Sequence, residues 1–369
     1  MSEFRTIREL CSVVADCPHS TPKWTTSGKI VVRNNNIKHG RIDLSSPSYT
    51  DEEHFAQRIK RAKPQPGDII ITREAPIGDV GMIPENAECC LGQRMVLLRA
   101  DQSICDNFYL LYSLQSLYVQ HQISWSEGTG TTVSNLRIPH LEQIQIPYLP
   151  LEQQTKISSV LRALEEKIEN NRRLNDNLRQ QAQAIYSSMF IDNADPAWSH
   201  GHLSDLITVK YGKDHKKLSD GIYPVYGSGG IMRYVERPLY DKESVLIPRK
   251  GTLNNVTYVN QPFWSVDTMF YTEMKLPNVA KFVFHFVKAK DLASMNAGSA
   301  VPSMTTDILN AMEVVIPSAS ALEEFESLVA PMYEAMEAND VQSQALSKMR
   351  DTLLPKLMSG EIDVSAVQL

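Results

Sequence analysis

Apolar residues fall in steps of four and three from Ile157 to Met189. Ile157, Leu161, Leu164 and Ile168 open the series, and Leu178, Ala182, Ile185 and Met189 close it. Between them, two positions on the same spacing hold Asn171 and Asn175. Alternating steps of four and three are a heptad seam, so the pattern predicts one long amphipathic helix with polar layers at its middle. The run from Glu152 to Phe190 contains no glycine or proline and would reach roughly 60 Å as a continuous helix.

The seam returns near the C-terminus. Phe325, Val329, Met332 and Met336 are followed by Asn339 and Ser343, then by Leu346, Arg350 and Leu353, each 168 residues beyond its counterpart. Pro355 lacks an amide donor and should end this second helix within about a turn. Each helix needs a partner and each can serve the other. Asn171, Asn175, Asn339 and Ser343 would then meet at the centre of the pair and set its register, at some cost in stability. Central placement suits parallel and antiparallel pairing alike.

The segments upstream of the helices also correspond. "DIIITREAPIGDVGMI" (Asp68–Ile83) and "SVLIPRKGTLNNVTYV" (Ser244–Val259) are apolar strands that run into a basic residue, a glycine turn and a second strand. Arg73 matches Arg249. "GTGTTVSNLRI" and "NAGSAVPSMTTDIL" are glycine and hydroxyl loops before a short helix, and Ile146-Pro147 and Ile316-Pro317 close each segment. The chain therefore reads as domain, helix, domain, helix in the α/β (α+β) class. Residues 1–150 and 191–319 are the globular domains, 151–190 the central helix, and 320–369 the C-terminal helix and tail.

Composition narrows the function classes. The 369 residues carry 37 basic and 43 acidic groups, a net charge of −6, which argues against a chain that merely coats nucleic acid or an anionic membrane. The acidic excess lies in residues 320–369, with 3 basic and 9 acidic groups, and the rest is near neutral. No apolar run is long enough to span a bilayer and no signal segment opens the chain, so a cytoplasmic protein is expected. The five cysteines lack CxxC spacing, as expected of reduced structural thiols.

The order of segments resembles the DNA-specificity subunit of type I restriction–modification enzymes. "LPLEQQTKISSVLRALEEKIENNRRLN" and "MRDTLLPKLMSGEI" look like its two helical regions. "PGDIIITREAPIGDVGMIP" with "LGQR", and "YPVYGSGGI" with "IPRKGTLNNVTYVNQPFWSVDTMFY", look like its two target-recognition domains. The resemblance covers essentially the whole chain. It implies a subunit that binds double-stranded DNA at a bipartite target, each recognition domain reading one half-site. It also implies two methyltransferase subunits as partners, with restriction subunits able to join them. The two helices would form an antiparallel coiled coil that serves as spacer and docking surface.

No motif for a reaction, metal or cofactor accompanies this pattern. A phosphate-binding loop, an HExxH pair and a nucleophile elbow are all missing, and "QPFW" only superficially resembles an adenine-methylation motif. The chain is therefore expected to be a non-catalytic subunit. A stand-alone DNA-cleaving enzyme and a coiled-coil scaffold without DNA reading are the alternatives. Base reading needs directional donors and acceptors on loops, with Arg suited to guanine and Asn or Gln to adenine. The candidates in the first domain are Asn34, Asn35, Arg73, Gln93, Arg94, Thr131 and Thr132. In the second they are Tyr226, Ser228, Arg249, Lys250, Thr252, Asn254 and Ser299. Arg73 and Arg249 could equally form salt bridges that fix their turns, and Asn34–Asn36 also suit a simple turn.

Overall fold

Both seams are helical in the computed structural model, which describes residues 3–38, 40–125, 135–295 and 303–364. The first long helix is Leu151–Ser187, extended by a π-turn at Ser188–Asp192. The second is Ala319–Met358, which passes through Pro331 and ends within a turn of Pro355. The chain divides into two units, Met1–Asn170 with Val341–Leu369, and Asn171–Asp340.

In the first unit, a six-stranded sheet has the order Cys11–Asp16, Met95–Ala100, Ile69–Arg73, Ile77–Met82, Gly40–Ile42, Ile37–Lys38. Ile69, Ile70 and Ile71 are all fully buried, because this strand is interior to the sheet and covered on both faces. A smaller sheet of Ser48–Thr50, Lys29–Val32 and Cys89–Leu91 lies alongside it in sequence, and Glu3–Thr6 pairs antiparallel with Gln145–Tyr148. Helix Asn107–Gln115 joins the core, together with Ile157 and Leu161 of the first long helix and Leu357 and Met358 of the second. The polar edge of this packing is Glu165, which accepts from Tyr112 Oη at 3.1 Å and lies 3.6 Å from Arg350. Burial holds the Glu165 carboxyl above its usual range.

The second unit repeats the plan with different strands. Ser199–His202 pairs antiparallel with Glu313–Ile316, and a four-stranded sheet runs Ile207–Tyr211, Met269–Met274, Ser244–Pro248, Thr257–Val259. A hairpin of Asp220–Gly227 and Gly230–Val235 continues through Trp264–Ser265. Within this unit the two long helices are antiparallel, since contacts step from Asn171–Asn339 to Asn175–Met336 to Tyr186–Phe325. Asn175 is only 1% exposed. Its Nδ2 donates to Met336 O at 3.2 Å and Asp340 Oδ1 at 2.8 Å, and its Oδ1 accepts from Asn339 Nδ2 at 2.8 Å. The orientation left open by the seam is thus settled by where these amides find partners.

Helix Ala280–Lys288 packs on the long helices through a buried polar knot. His285 Nδ1 donates to Gln183 Oε1 at 2.8 Å, and Tyr333 Oη donates to His285 Nε2 at 3.0 Å. Both ring nitrogens are used by the neutral imidazole, and burial lowers its pKa from 6.5 to about 4. A lowered histidine contributes stability above its unfolded pKa and loses it as protonation becomes favourable in the unfolded chain. The second unit should therefore weaken as pH falls from 6.5 toward about 4, by about 3 kcal/mol at about 1.4 kcal/mol per pKa unit. Melting temperatures across that window check this. His285→Gln should flatten the profile, and equal acid sensitivity in the variant would count against it.

Candidate nucleic-acid interface

Arg73 and Arg249 occupy equivalent backbone positions. Arg73 ends strand Ile69–Arg73, where its amide donates to Arg94 O at 2.8 Å and its carbonyl accepts from Leu136 N at 3.0 Å. Arg249 follows strand Ser244–Pro248, where its amide donates to Thr268 O at 2.8 Å and its carbonyl accepts from Met304 N at 2.9 Å. In each unit the strand end is therefore pinned between a neighbouring loop and the segment after the glycine and hydroxyl loop.

Their side chains have different fates. The Arg73 guanidinium is 12% exposed and meets Asp16 at 3.0 Å, Leu136 O at 2.9 Å and Asn135 Oδ1 at 3.3 Å. Its donors are absorbed in a brace across the end of the sheet. Arg249 gives one bond to Asp267 O, at 3.2 Å, and lies 5.4 Å from the centroid of the Tyr211 ring. The strands explain this difference. Asp16 pairs with Val96, which faces Ile71, and Tyr211 pairs with Phe270, which faces Ile247, so Tyr211 occupies in the second unit the place that Asp16 holds in the first. The second guanidinium therefore meets an aromatic ring where the first meets a carboxylate.

Asn34, Gln93 and Arg94 gather around Arg73. Asn34 lies in the 3-10 turn Asn34–Asn36 with exposed Asn35 beside it, and its Nδ2 donates to Glu74 O at 2.8 Å. Gln93 Nε2 donates to His19 O at 2.5 Å. Arg94 has φ +65° and pairs with Glu74 through Nε at 3.2 Å. The loop that carries them is anchored by Arg58, a buried guanidinium that donates to Leu91, Gly92, Ser20 and Pro18 carbonyls at 2.7 to 3.1 Å. These bonds tie the two loops into one surface. Thr131 and Thr132 lie outside the described residues.

In the second unit the tip of the hairpin meets the loop after Arg249. Asn255 Nδ2 donates to Ser228 O at 2.8 Å, and Gly251 approaches so closely that a Cβ would lie 2.7 Å from Ser228 Oγ. At φ +85° Gly251 also needs the freedom of glycine. Lys250 and Thr252 are exposed on this loop. Asn254 faces elsewhere, donating to Asp291 at 3.0 Å and accepting from Ala293 N at 3.0 Å. Tyr226 is buried and edge-on to Phe263, with Gln261 Nε2 donating to its Oη at 3.5 Å. Ser299 lies outside the described residues.

Sequence reading missed Arg58, Glu74, Asn135 and Asn255. Arg58 sits in a charged run that looks solvated, and nothing local reveals that its fork is buried under carbonyls. Glu74 had a signal, because "REAP" in one repeat stands where "RKGT" stands in the other. Among the described residues no His, Cys, Asp and Glu cluster could hold a metal ion, and no helix is long and apolar enough to cross a membrane. All five cysteines are free and buried, and burial pushes Cys11 and Cys89 up to about 12.

Comparison with known proteins gives this arrangement a context. The chain is 24% identical over 342 residues to the type I restriction enzyme MjaIX specificity subunit of Methanocaldococcus jannaschii, covering 81% of this chain and 78% of that protein. It is 23% identical to a putative type I specificity subunit of Mycoplasma genitalium, over 67% of this chain and 70% of the relative. The crystal structure of a type I restriction–modification S subunit from M. genitalium superimposes with a TM-score of 0.64 at 21% identity, covering 97% of this chain and 96% of the other. Residues 2–180 and 197–324 both match the type I restriction modification DNA specificity domain. With both repeats matched, the chain belongs to the type I restriction–modification DNA specificity domain family.

Proposed function

We propose that this chain is the sequence-specific subunit that directs type I methyltransferase and restriction subunits to a bipartite DNA target. Residues 1–150 and 191–319 each read one half-site, and the long helices of 151–190 and 320–369 receive two methyltransferase subunits. Restriction subunits join that assembly, in the cytoplasm, and the chain itself carries out no chemistry. The observation that supports this reading is the paired strand-end architecture at Arg73 and Arg249, two versions of one scaffold with different side chains around it. Asn34, Asn35, Gln93 and Arg94 serve the first half-site, and Ser228, Arg249, Lys250 and Thr252 the second. Tyr226 and Asn254 act as supports for their loops.

Mapping methylated bases in host DNA, with and without this gene, tests the reading. A split motif that disappears with the gene is expected. Retention of every methylated motif, or magnesium-dependent cleavage by the isolated chain, would overturn it.

The polar layer of Asn171, Asn175, Asn339 and Ser343 is proposed to fix the helix register. Asn175→Ala should cost about 2 kcal/mol, because it removes the bonds that a buried amide makes to Met336 O, Asp340 and Asn339. Replacing Asn175 and Asn339 together by leucine should recover the melting temperature while admitting more than one register. Cross-linking of cysteine pairs placed along the seam reads the register. A stable double variant in a single register would refute the role.

A further inference from the structure

Glu74 is the point where three separate segments of the first unit converge. Its Oε1 accepts from Asn135 Nδ2 at 2.6 Å, its Oε2 lies 3.2 Å from Arg94 Nε, and its main-chain carbonyl accepts from Asn34 Nδ2 at 2.8 Å. Arg94 is held in the left-handed region at φ +65°, where a non-glycine residue is uncommon and its side-chain direction is set by the backbone. Its own carbonyl is tied to the Arg73 amide. The Arg94 side chain is 57% exposed and forms an ion pair with the carboxylate, Nε lying 3.2 Å from Oε2. Its two terminal nitrogens have no protein acceptor among the described residues, and such a pair of donors suits the O6 and N7 acceptors on the edge of guanine.

A carboxylate on a surface that meets phosphates opposes binding unless it aims a cation. The second unit makes the contrast visible, because the residue after its strand-end arginine is the exposed Lys250. We propose that Glu74 is a specificity-determining positioning residue. By holding the Arg94 guanidinium in an ion pair, it presents the terminal nitrogens to one base and keeps them from wandering to phosphates. Glu74 thus trades overall affinity for discrimination in one half-site. This rests on the DNA-reading function proposed above.

The test uses the full chain assembled with the methyltransferase subunits of its host, on duplexes with single substitutions in the methylated motif. Glu74→Gln keeps an acceptor for Asn135 and abolishes the ion pair. Discrimination at a position in one half-site should fall on the order of tenfold, with the other half-site unaffected. Freed Arg94 should gain a phosphate, so binding to unrelated DNA strengthens and the salt dependence of log affinity steepens by about one unit. Adding Arg94→Ala to Glu74→Gln should remove the extra slope. Arg94→Ala alone should lose the same discrimination without steepening, which keeps the test open if Glu74→Gln folds poorly. If Glu74→Gln lowers only the melting temperature, or weakens all DNA equally at unchanged slope, the residue is structural and the inference fails. A wild-type complex with no sequence preference would instead overturn the DNA-reading function beneath it.

Discussion

Arg73→Ala is expected to destabilise the first unit by about 3 kcal/mol, the lower end for breaking a buried ion pair, whereas Arg249→Ala should leave melting of the second unit nearly unchanged. Arg73 and Asp16 are 12% and 14% exposed, and the guanidinium also satisfies Leu136 O and Asn135. Asp16 keeps His19 at 2.9 Å and Arg61 at 3.7 Å, so its charge is not left alone. Arg249 has one backbone acceptor and a contact with the Tyr211 ring, little of which matters for folding. Its loss should appear in recognition, where a bidentate base contact contributes about 1–3 kcal/mol, or roughly 5–150-fold in discrimination. Thermal unfolding beside methylation of substituted half-sites separates the two outcomes. Equal loss of stability in both variants would mean that Arg249 is a brace as well.

Lys281→Met should cost the second unit about 3 kcal/mol as well, through a different geometry. The Lys281 side chain is 5% exposed, with Nζ 2.6 Å from Glu326 and 3.1 Å from Glu243. It also lies over the rings of Tyr258 and Tyr333, and Tyr258 Oη donates to Glu243. Removing the cation leaves Glu326, half-buried on the second long helix, and Glu243 without the charge that joins them. Replacing Lys281 and Glu326 together by methionine should recover most of the loss, since the cost of the single change is the stranded charge. Chemical denaturation of the two variants measures this. A double variant as unstable as the single one would show that packing of the lysine stem, rather than its charge, holds helix Ala280–Lys288 in place.

Much of the architecture is legible in local sequence patterns. The heptad seams became helices at Leu151–Ser187 and Ala319–Met358, because helix formation follows a periodicity carried by neighbouring residues. Among the seam residues, Ile157, Leu161, Asn171, Asn175, Phe325 and Val329 are buried in the structure. The candidate interface was legible only in outline. "LGQR" and "RKGT" mark loops with suitable chemistry, but they do not tell which side chains those loops spend on themselves. Asn254 looked free in sequence, yet it is bonded to Asp291 and Ala293, some forty residues away.

By itself, then, the sequence determined the long amphipathic helices, the repeat at a spacing of 168 residues and the strand-end arginines, all of which rest on local patterns. Tertiary structure alone decided the antiparallel pairing seen in the second unit, through Asn175 and its partners on the second helix. It also decided that Arg73 is bound while Arg249 is largely available. That outcome depends on Asp16 and Tyr211, which lie 57 and 38 residues from the arginines they influence. Buried polar groups must find partners wherever the fold supplies them, and no spacing along the chain reveals which distant residue will arrive.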